Sequence, residues 1–157
     1  MTSEHLFSVL LAAASAYLAA QLSVRGAIKQ HLAERWWERK EKAYAEIIEA
    51  LYNIVRDYEI SVTEYYEQRE TYDKERRNKI EEACREGVWT IKRATAMGNF
   101  VVSDEVAGAL VDLRKGLDGI EEEQDTGSIY SERLDLYKLA LELIRSLARE
   151  DLKRGQV

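Results

Sequence analysis

Residues 6–24 read LFSVLLAAASAYLAAQLSV, a stretch of 19 residues without one charged side chain. As an α-helix rising about 1.5 Å per residue, this stretch would be roughly 28 Å long, close to the hydrocarbon thickness of a bilayer. It therefore predicts a transmembrane helix, with residues 1–24 as a membrane anchor. The alternatives are a buried helix of a soluble bundle and a cleaved signal peptide. The signal peptide is disfavoured because no Lys or Arg precedes the apolar run.

The predicted anchor separates its residues by size. At 100° per residue, small side chains gather on one half of the helix and most large ones on the other. The small half includes Ser8, Ala12, Ser15, Ala16, Ala19, Ala20 and Ser23. In lipid such a face lets a second helix approach closely, so we expect the anchor to self-associate. A ring of these helices would present serines inward, as a water-filled pore requires; alternatively, the small face has no role.

Positive charge follows the apolar stretch directly. Residues 25–42 carry six Lys or Arg against three Glu and are predicted to form a basic juxtamembrane helix. The membrane-proximal part of this segment is a basic collar made of Arg25, Lys29, Arg35, Arg39 and Lys40. Positive residues beside a membrane helix stay in the cytoplasm. The N-terminus is therefore predicted to lie outside, and residues 43–157 inside, as a cytoplasmic helical bundle.

Apolar residues recur at helical spacing beyond the collar, and the chain contains no proline. This pattern predicts one uninterrupted helix from the membrane to about Tyr66. Further helices are expected over about 73–97, after an N-cap at Ser103, and over about 129–154, with a turn at 125–128. The apolar residues at helical spacing predict the inner faces of these four helices: Tyr44, Ile47, Leu51, Ile54, Tyr58, Val62 and Tyr65 in the first, Ile80, Cys84, Val88, Ile91 and Ala94 in the second, Val106, Leu110, Leu113, Leu117 and Ile120 in the third, and Leu134, Tyr137, Leu141, Ile144, Leu147 and Leu152 in the last. The predicted fold is all-α: a transmembrane helix continuing into a long helix of an antiparallel four-helix bundle.

Two adjacent tryptophans, Trp36 and Trp37, follow the anchor. Trp36 would lie roughly 18 Å beyond Val24 along a straight helix, which is too far for an anchor at the lipid headgroups. We therefore expect these tryptophans to pack in the core or against another subunit.

The residues that usually perform catalysis are scarce. The two histidines, His5 and His31, lie outside the predicted bundle, so Cys84 has no nearby base and is predicted to be a buried structural thiol. No Cys/His cluster or glycine-rich phosphate loop is present, and we expect no catalytic residue, metal or cofactor. The net charge of −6 argues against a nucleic-acid partner. The basic residues of 74–79, among them Arg77, are predicted to form an exposed, salt-bridged face.

Several segments resemble a group of bacterial proteins that have one N-terminal membrane helix and a cytoplasmic helical bundle. The segments are 37–40 (WERK), 48–51 (IEAL), 100–105 (FVVSDE) and 147–152 (LAREDL). The layout is also similar to the HEPN-like membrane accessory protein of type VI-B CRISPR systems. That resemblance implies a bacterial inner-membrane location and an oligomeric pore that acts in antiviral defence. The one Arg-x(4–6)-His spacing, Arg25 with His31, lies at the membrane exit instead of the bundle, which argues against ribonuclease activity.

Together these features predict a non-enzymatic, single-pass membrane protein that self-associates into a pore or a membrane-perturbing oligomer. Its expected partners are membrane lipid and further copies of the chain. The alternative is a membrane-tethered adaptor whose bundle binds another cytoplasmic protein. An enzyme is the third possibility, and it would need a site made only of carboxylates, tyrosines or arginines.

Overall fold

Helices account for nearly all of the ordered structure of this chain. A computed structural model describes residues 3–121 and 125–154. Within this part, the side chains of residues 3–20, 22, 25–30 and 32–33 lie outside the description. The described residues form four α-helices and one 3₁₀ turn, with no strand. The all-α prediction is therefore confirmed.

Short connecting segments separate consecutive helices. They are α1 (Ser3–Glu67), α2 (Lys74–Met97), α3 (Asp104–Asp118) and α4 (Thr126–Arg154), and a 3₁₀ turn (Gly98–Phe100) follows α2. The chain divides into two units, residues 1–38 and residues 39–157. The first unit is a stretch of α1. The second is a helical bundle that contains the rest of α1 and all of the other helices.

Local sequence signals set most helix ends. The side chains of Asp73 and Ser103 accept hydrogen bonds from backbone N–H groups three residues later, so both are N-caps, as predicted for Ser103. The end of α1 is marked by Gln68, whose φ of 52° is left-handed. At the end of α2, Gly98 has a φ of 54°, a conformation that glycine adopts without strain.

The predicted turn at 125–128 is wrong, because α4 begins at Thr126. The carboxylate of Asp125 accepts a hydrogen bond from the backbone N–H of Ser128 at 3.2 Å. Asp125 therefore caps the helix, and the residues after it form the first helical turn. Gly127 and Ser128 are common in turns, but a capping aspartate before them lets them enter a helix.

All four helices contribute to one hydrophobic core in the second unit. Its most deeply buried side chains are Tyr44, Leu51, Ile54, Val106, Leu110 and Ile144. These residues occupy the predicted inner faces, so the helical periodicity located the core correctly. Trp36, expected in the core or at a subunit contact, is 50% exposed in the chain. Core packing is therefore excluded for Trp36, and subunit packing stays a prediction.

One glycine decides how closely α1 and α2 pack. A Cβ atom added to Gly87 would lie 2.8 Å from the backbone oxygen of Ala50 and 3.1 Å from Cγ1 of Ile54. Real Cβ atoms essentially never come as near to a backbone oxygen as the first of these distances. Glycine is therefore required at position 87 for the two helices to approach as closely as they do.

The membrane anchor predicted at residues 1–24 is not established by this structure. Among the described residues, no helix is both long enough and apolar enough to cross a bilayer. Most side chains of the predicted span lie outside the description. The transmembrane helix and the antiparallel, HEPN-like order of the bundle stay predictions.

Candidate binding site

Most of the residues predicted to associate in the membrane cannot be placed. Ser8, Ala12, Ser15, Ala16, Ala19 and Ala20 have side chains outside the description, and so do Arg25 and Lys29 of the basic collar. Ser23, Arg35 and Arg39 are exposed. The described residues therefore do not test whether the predicted association residues lie together, and their role stays a prediction.

Lys40, predicted as part of the collar, belongs to a polar cluster inside the bundle. Its ammonium lies 2.5 Å from the carboxylate of Asp151 in α4, and both side chains are largely buried. The buried hydroxyl of Tyr44 donates to the same carboxylate and accepts a hydrogen bond from the backbone N–H of Ser103 at 2.9 Å. This cluster connects α1 with the start of α3 and the end of α4.

The surroundings of Tyr44 and Asp151 push their pKa values in opposite directions. Burial and the bond to Asp151 raise the pKa of Tyr44 to about 12. Burial alone would raise the pKa of Asp151, but hydrogen bonds from Lys40 and Tyr44 outweigh it and hold that pKa below its usual value. The phenol therefore stays neutral and donates while the carboxylate stays charged, which suits a structural contact.

A second polar cluster connects α1 and α2. Its centre is Arg77, whose guanidinium lies 2.6 Å from the Asp57 carboxylate and donates to the Ser61 hydroxyl at 2.9 Å. Glu64 and Glu81 lie 3.5 and 3.3 Å from the same guanidinium. The Arg77 side chain is only 20% exposed, so the prediction of an exposed face is wrong for this residue. Its arginine stem packs between the helices while its head group is paired.

Cys84 lies next to this second cluster. Burial, followed by the charge and hydrogen bond of Asp57, raises the pKa of the thiol to about 12. The thiolate is the reactive form of cysteine, and at neutral pH it would be almost absent here. Cys84 is half-buried, so the prediction of a buried thiol is met only in part, and its raised pKa favours the unreactive protonated form.

A cavity of about 470 Å³ opens between α2, α3 and α4; we call it the α2–α4 cavity. Apolar side chains from α2 and α3 form much of its wall: Val88, Ile91, Leu110, Leu113 and Leu117. Tyr58 of α1 and Tyr137 of α4 complete the wall, with their rings stacked at a centroid distance of 5.6 Å. The cavity lies within the range of volumes typical of small-molecule sites.

Three cations from three different helices line the same cavity. They are Lys92 of α2, Arg114 of α3 and Arg133 of α4, and among the described residues Asp118 is the one carboxylate in the lining. Arg133 donates to the Tyr58 hydroxyl at 3.5 Å. Burial raises the pKa of Tyr137 to about 12, so its phenol is neutral at physiological pH. The cavity thus combines an apolar wall with a net positive lining.

Helical patterning could have indicated these cations only in part. Lys92, Arg114 and Arg133 each adjoin an apolar inner-face residue in sequence, which places them at the border of a buried face. The sequence does not indicate that these three cations line one cavity. In the described residues, no group of three or more Asp, Glu, Cys or His side chains could hold a metal ion.

Comparison of the chain with known protein families, with curated proteins and with solved structures found no match. The arrangement of residues in the bundle is therefore interpreted from its own chemistry.

Proposed function

We propose that this chain is a non-catalytic, single-pass membrane protein that self-associates, so that its N-terminal helices assemble into a pore or another membrane-perturbing oligomer. The observation that carries the proposal is the uncharged stretch 6–24 with its half of small residues. Its length suits a bilayer and its small face suits close helix packing. A role in antiviral defence rests on the resemblance to the CRISPR accessory protein alone.

An exposed apolar patch on the bundle supports self-association. Leu139 and Leu143 are 66% and 50% exposed, and they lie one turn apart on α4. Residues spaced by four on a helix are neighbours on its surface, so these two leucines form a continuous apolar area. Such areas on soluble domains commonly mark protein contacts. Contacts between bundles would bring the anchors of several copies together in the membrane.

The first test concerns the anchor. We would measure the mass of the full-length chain in detergent and the ion flux through liposomes that contain it. Replacing Ala12 and Ala16 with Leu should abolish both the oligomer and the flux, because larger side chains prevent close helix approach. Ala14→Leu is the matched control, since Ala14 lies on the half with the large residues. A monomeric full-length chain, or intact liposomes at high protein density, would refute the pore.

The second test concerns the bundle. Changing Leu139 and Leu143 to Glu should shift the oligomer towards monomer, because the charges would be buried in the contact. Arg145→Glu is the control, because Arg145 is exposed and lies about 120° around α4 from Leu139, away from the patch. Equal oligomer mass for the wild type and the double variant would show that this patch takes no part in assembly.

The alternative function is a membrane-tethered adaptor, which a different surface favours. Trp89 and Phe100 are 69% and 81% exposed, and they lie on α2 and on the 3₁₀ turn after it. Aromatic residues of this kind often dominate protein interfaces. An adaptor would keep its partner when Ala12 and Ala16 are replaced with Leu, and would lose it in Trp89→Ala or Phe100→Ala. A pore would show the opposite pattern.

A further inference from the structure

The α2–α4 cavity is not needed for self-association or for membrane anchoring, and it has features of a ligand site. Its wall is made of apolar residues that include the buried side chains Ile91, Leu110 and Leu113. An apolar wall favours a ligand that carries a compact hydrocarbon or aromatic body. The body of such a ligand gains free energy by leaving water, as any apolar surface does.

The charged residues of the lining indicate the sign of the charge that a bound ligand would carry. Elsewhere in the bundle, partly buried cations have close carboxylate partners, as in Lys40 with Asp151 and Arg77 with Asp57. Among the described residues, no ion pair is formed by Lys92 or Arg114, although Lys92 lies 5.7 Å from the Trp89 ring centroid. Both cations are exposed and line the cavity, so an anionic group held there could approach them without first breaking an ion pair.

The polar groups and the net charge of the lining narrow the ligand further. The Tyr58 hydroxyl already accepts from Arg133, so the two groups form one polar edge of the cavity. Three cations and the carboxylate of Asp118 leave the described lining with a net positive charge. The site thus favours an anionic ligand over a neutral or cationic one of the same shape.

We propose that the α2–α4 cavity binds a small organic anion with an apolar body, such as an aryl or medium-chain carboxylate. The body lies against Val88, Leu113 and Leu117, and the carboxylate faces Lys92 and Arg114. Arg133 supports the same charge from α4. Binding connects α2, α3 and α4 through one ligand, and the ligand therefore stabilises the folded bundle.

The experiment compares three naphthalene compounds that differ in charge: 2-naphthoate, the neutral 2-naphthamide and the cationic 2-naphthylmethylammonium. Each is titrated by calorimetry into the full-length chain in a nonionic detergent, with detergent alone as the blank. We expect 2-naphthoate to bind with one site per chain and about tenfold more tightly than the amide, because charge-assisted hydrogen bonds are the stronger ones. The cation should not bind. Equal affinity for all three compounds, or no binding of 2-naphthoate, would overturn the proposal.

Variants then locate the bound anion. Lys92→Ala and Arg114→Ala should each weaken 2-naphthoate binding about fivefold to tenfold and leave amide binding unchanged, since only the anion uses their charge. Arg85→Ala is the matched control, because Arg85 is an exposed cation of α2 outside the cavity lining. If Arg85→Ala weakened binding as much as Arg114→Ala, the effect would be one of net charge, and the proposed site would be wrong.

A filling variant tests the cavity itself. Ala96 lines the cavity at an exposed position, so Ala96→Trp should fill the entrance without disturbing the core. We expect it to abolish 2-naphthoate binding while the far-UV circular dichroism spectrum and the melting temperature stay close to those of the wild type. Unchanged affinity in this folded variant would show that the anion binds elsewhere.

Discussion

Two neighbouring contacts of α2 differ in how closely they pack. At Gly87, on the tight side, α2 meets α1 so closely that an added Cβ would lie 2.8 Å from the oxygen of Ala50. Where α2 meets α3 and α4, on the cavity side, a cavity of about 470 Å³ remains. The two contacts are close together, because Ile91, which lines the cavity, is one helical turn after Gly87. The closeness of packing here depends on the size of single residues at each contact.

The largest difference between the two sides should appear in cysteine reactivity. At pH 8 a thiol with a pKa of about 12 is thiolate only about once in 10,000 molecules, whereas a more basic thiolate is also more nucleophilic. Iodoacetamide should therefore label Cys84 about 100-fold more slowly than an ordinary exposed cysteine. The comparison residue is Ala96→Cys in a Cys84→Ala chain, because position 96 is exposed on the cavity side. Mass spectrometry over time gives both rates. Similar rates for the two cysteines would contradict the raised pKa of Cys84.

Truncation of apolar side chains should cost more on the tight side. Ile54 is fully buried against Gly87, and Ile54→Ala should lower the free energy of unfolding by about 3 kcal/mol through lost burial and a new void. Leu117 lines the existing cavity and is partly exposed, so Leu117→Ala should cost only about 1 kcal/mol. Urea denaturation followed by far-UV circular dichroism measures both changes. Equal losses would mean that the cavity closes in solution.

Two glycine-to-alanine substitutions should change the free energy of unfolding in opposite directions. Gly87→Ala forces α1 and α2 apart and should destabilise the bundle by about 2 kcal/mol. Gly108 lies inside α3 with nothing within 4 Å of an added Cβ, so Gly108→Ala should stabilise the chain by about 0.5–1 kcal/mol through helix propensity. The same urea titration serves here. A neutral Gly87→Ala would show that the helices adjust, and the close approach would then not be required.

The last effect, also of modest size, concerns the contact between α1 and α4, in which α2 takes no part. Since the folded pKa of Asp151 is lowered, its contribution is fully present above about pH 4 and is lost as the pH falls through the folded pKa. Asp151→Asn should cost about 1 kcal/mol at pH 7. Between pH 4 and pH 2, the free energy of unfolding of the Asp151→Asn variant should fall less than that of the wild type. Parallel stability curves for both chains down to pH 2 would show that Asp151 keeps its ordinary pKa in the fold.

Local patterns predicted most of the bundle correctly, because they depend on neighbouring residues in one helix. The spacing of Ile80 and Ile91 located the inner face of α2, and Ser103 with its acidic successors located the start of α3. The same reasoning was wrong at Asp125, where turn-forming residues enter a helix behind a cap. It was also wrong for Arg77. In the sequence this arginine stands among glutamates, as residues of a solvated helix face do, and only the fold shows that Asp57 of α1 pairs with it.

The candidate site could not be predicted in this way. Lys92, Arg114 and Arg133 belong to three helices, and each one alone is an ordinary cation at the border of an apolar face. Tyr58 and Tyr137 were assigned to apolar faces, yet their stacked rings also close the cavity. Convergence of such residues depends on the rotation and separation of the helices, which no single segment encodes.

The chain's own residues were sufficient for the all-α class, the helix caps, the inner faces and the uncharged stretch at residues 6–24, since each of these follows from backbone geometry and the polarity of nearby side chains. Tertiary packing decided the rest. It placed Gly87 against Ala50, paired Arg77 with Asp57 and left a cavity between α2, α3 and α4. The physical reason is that a helix presents its residues in a regular order, whereas the distance between two helices is set by the side chains that meet at their contact.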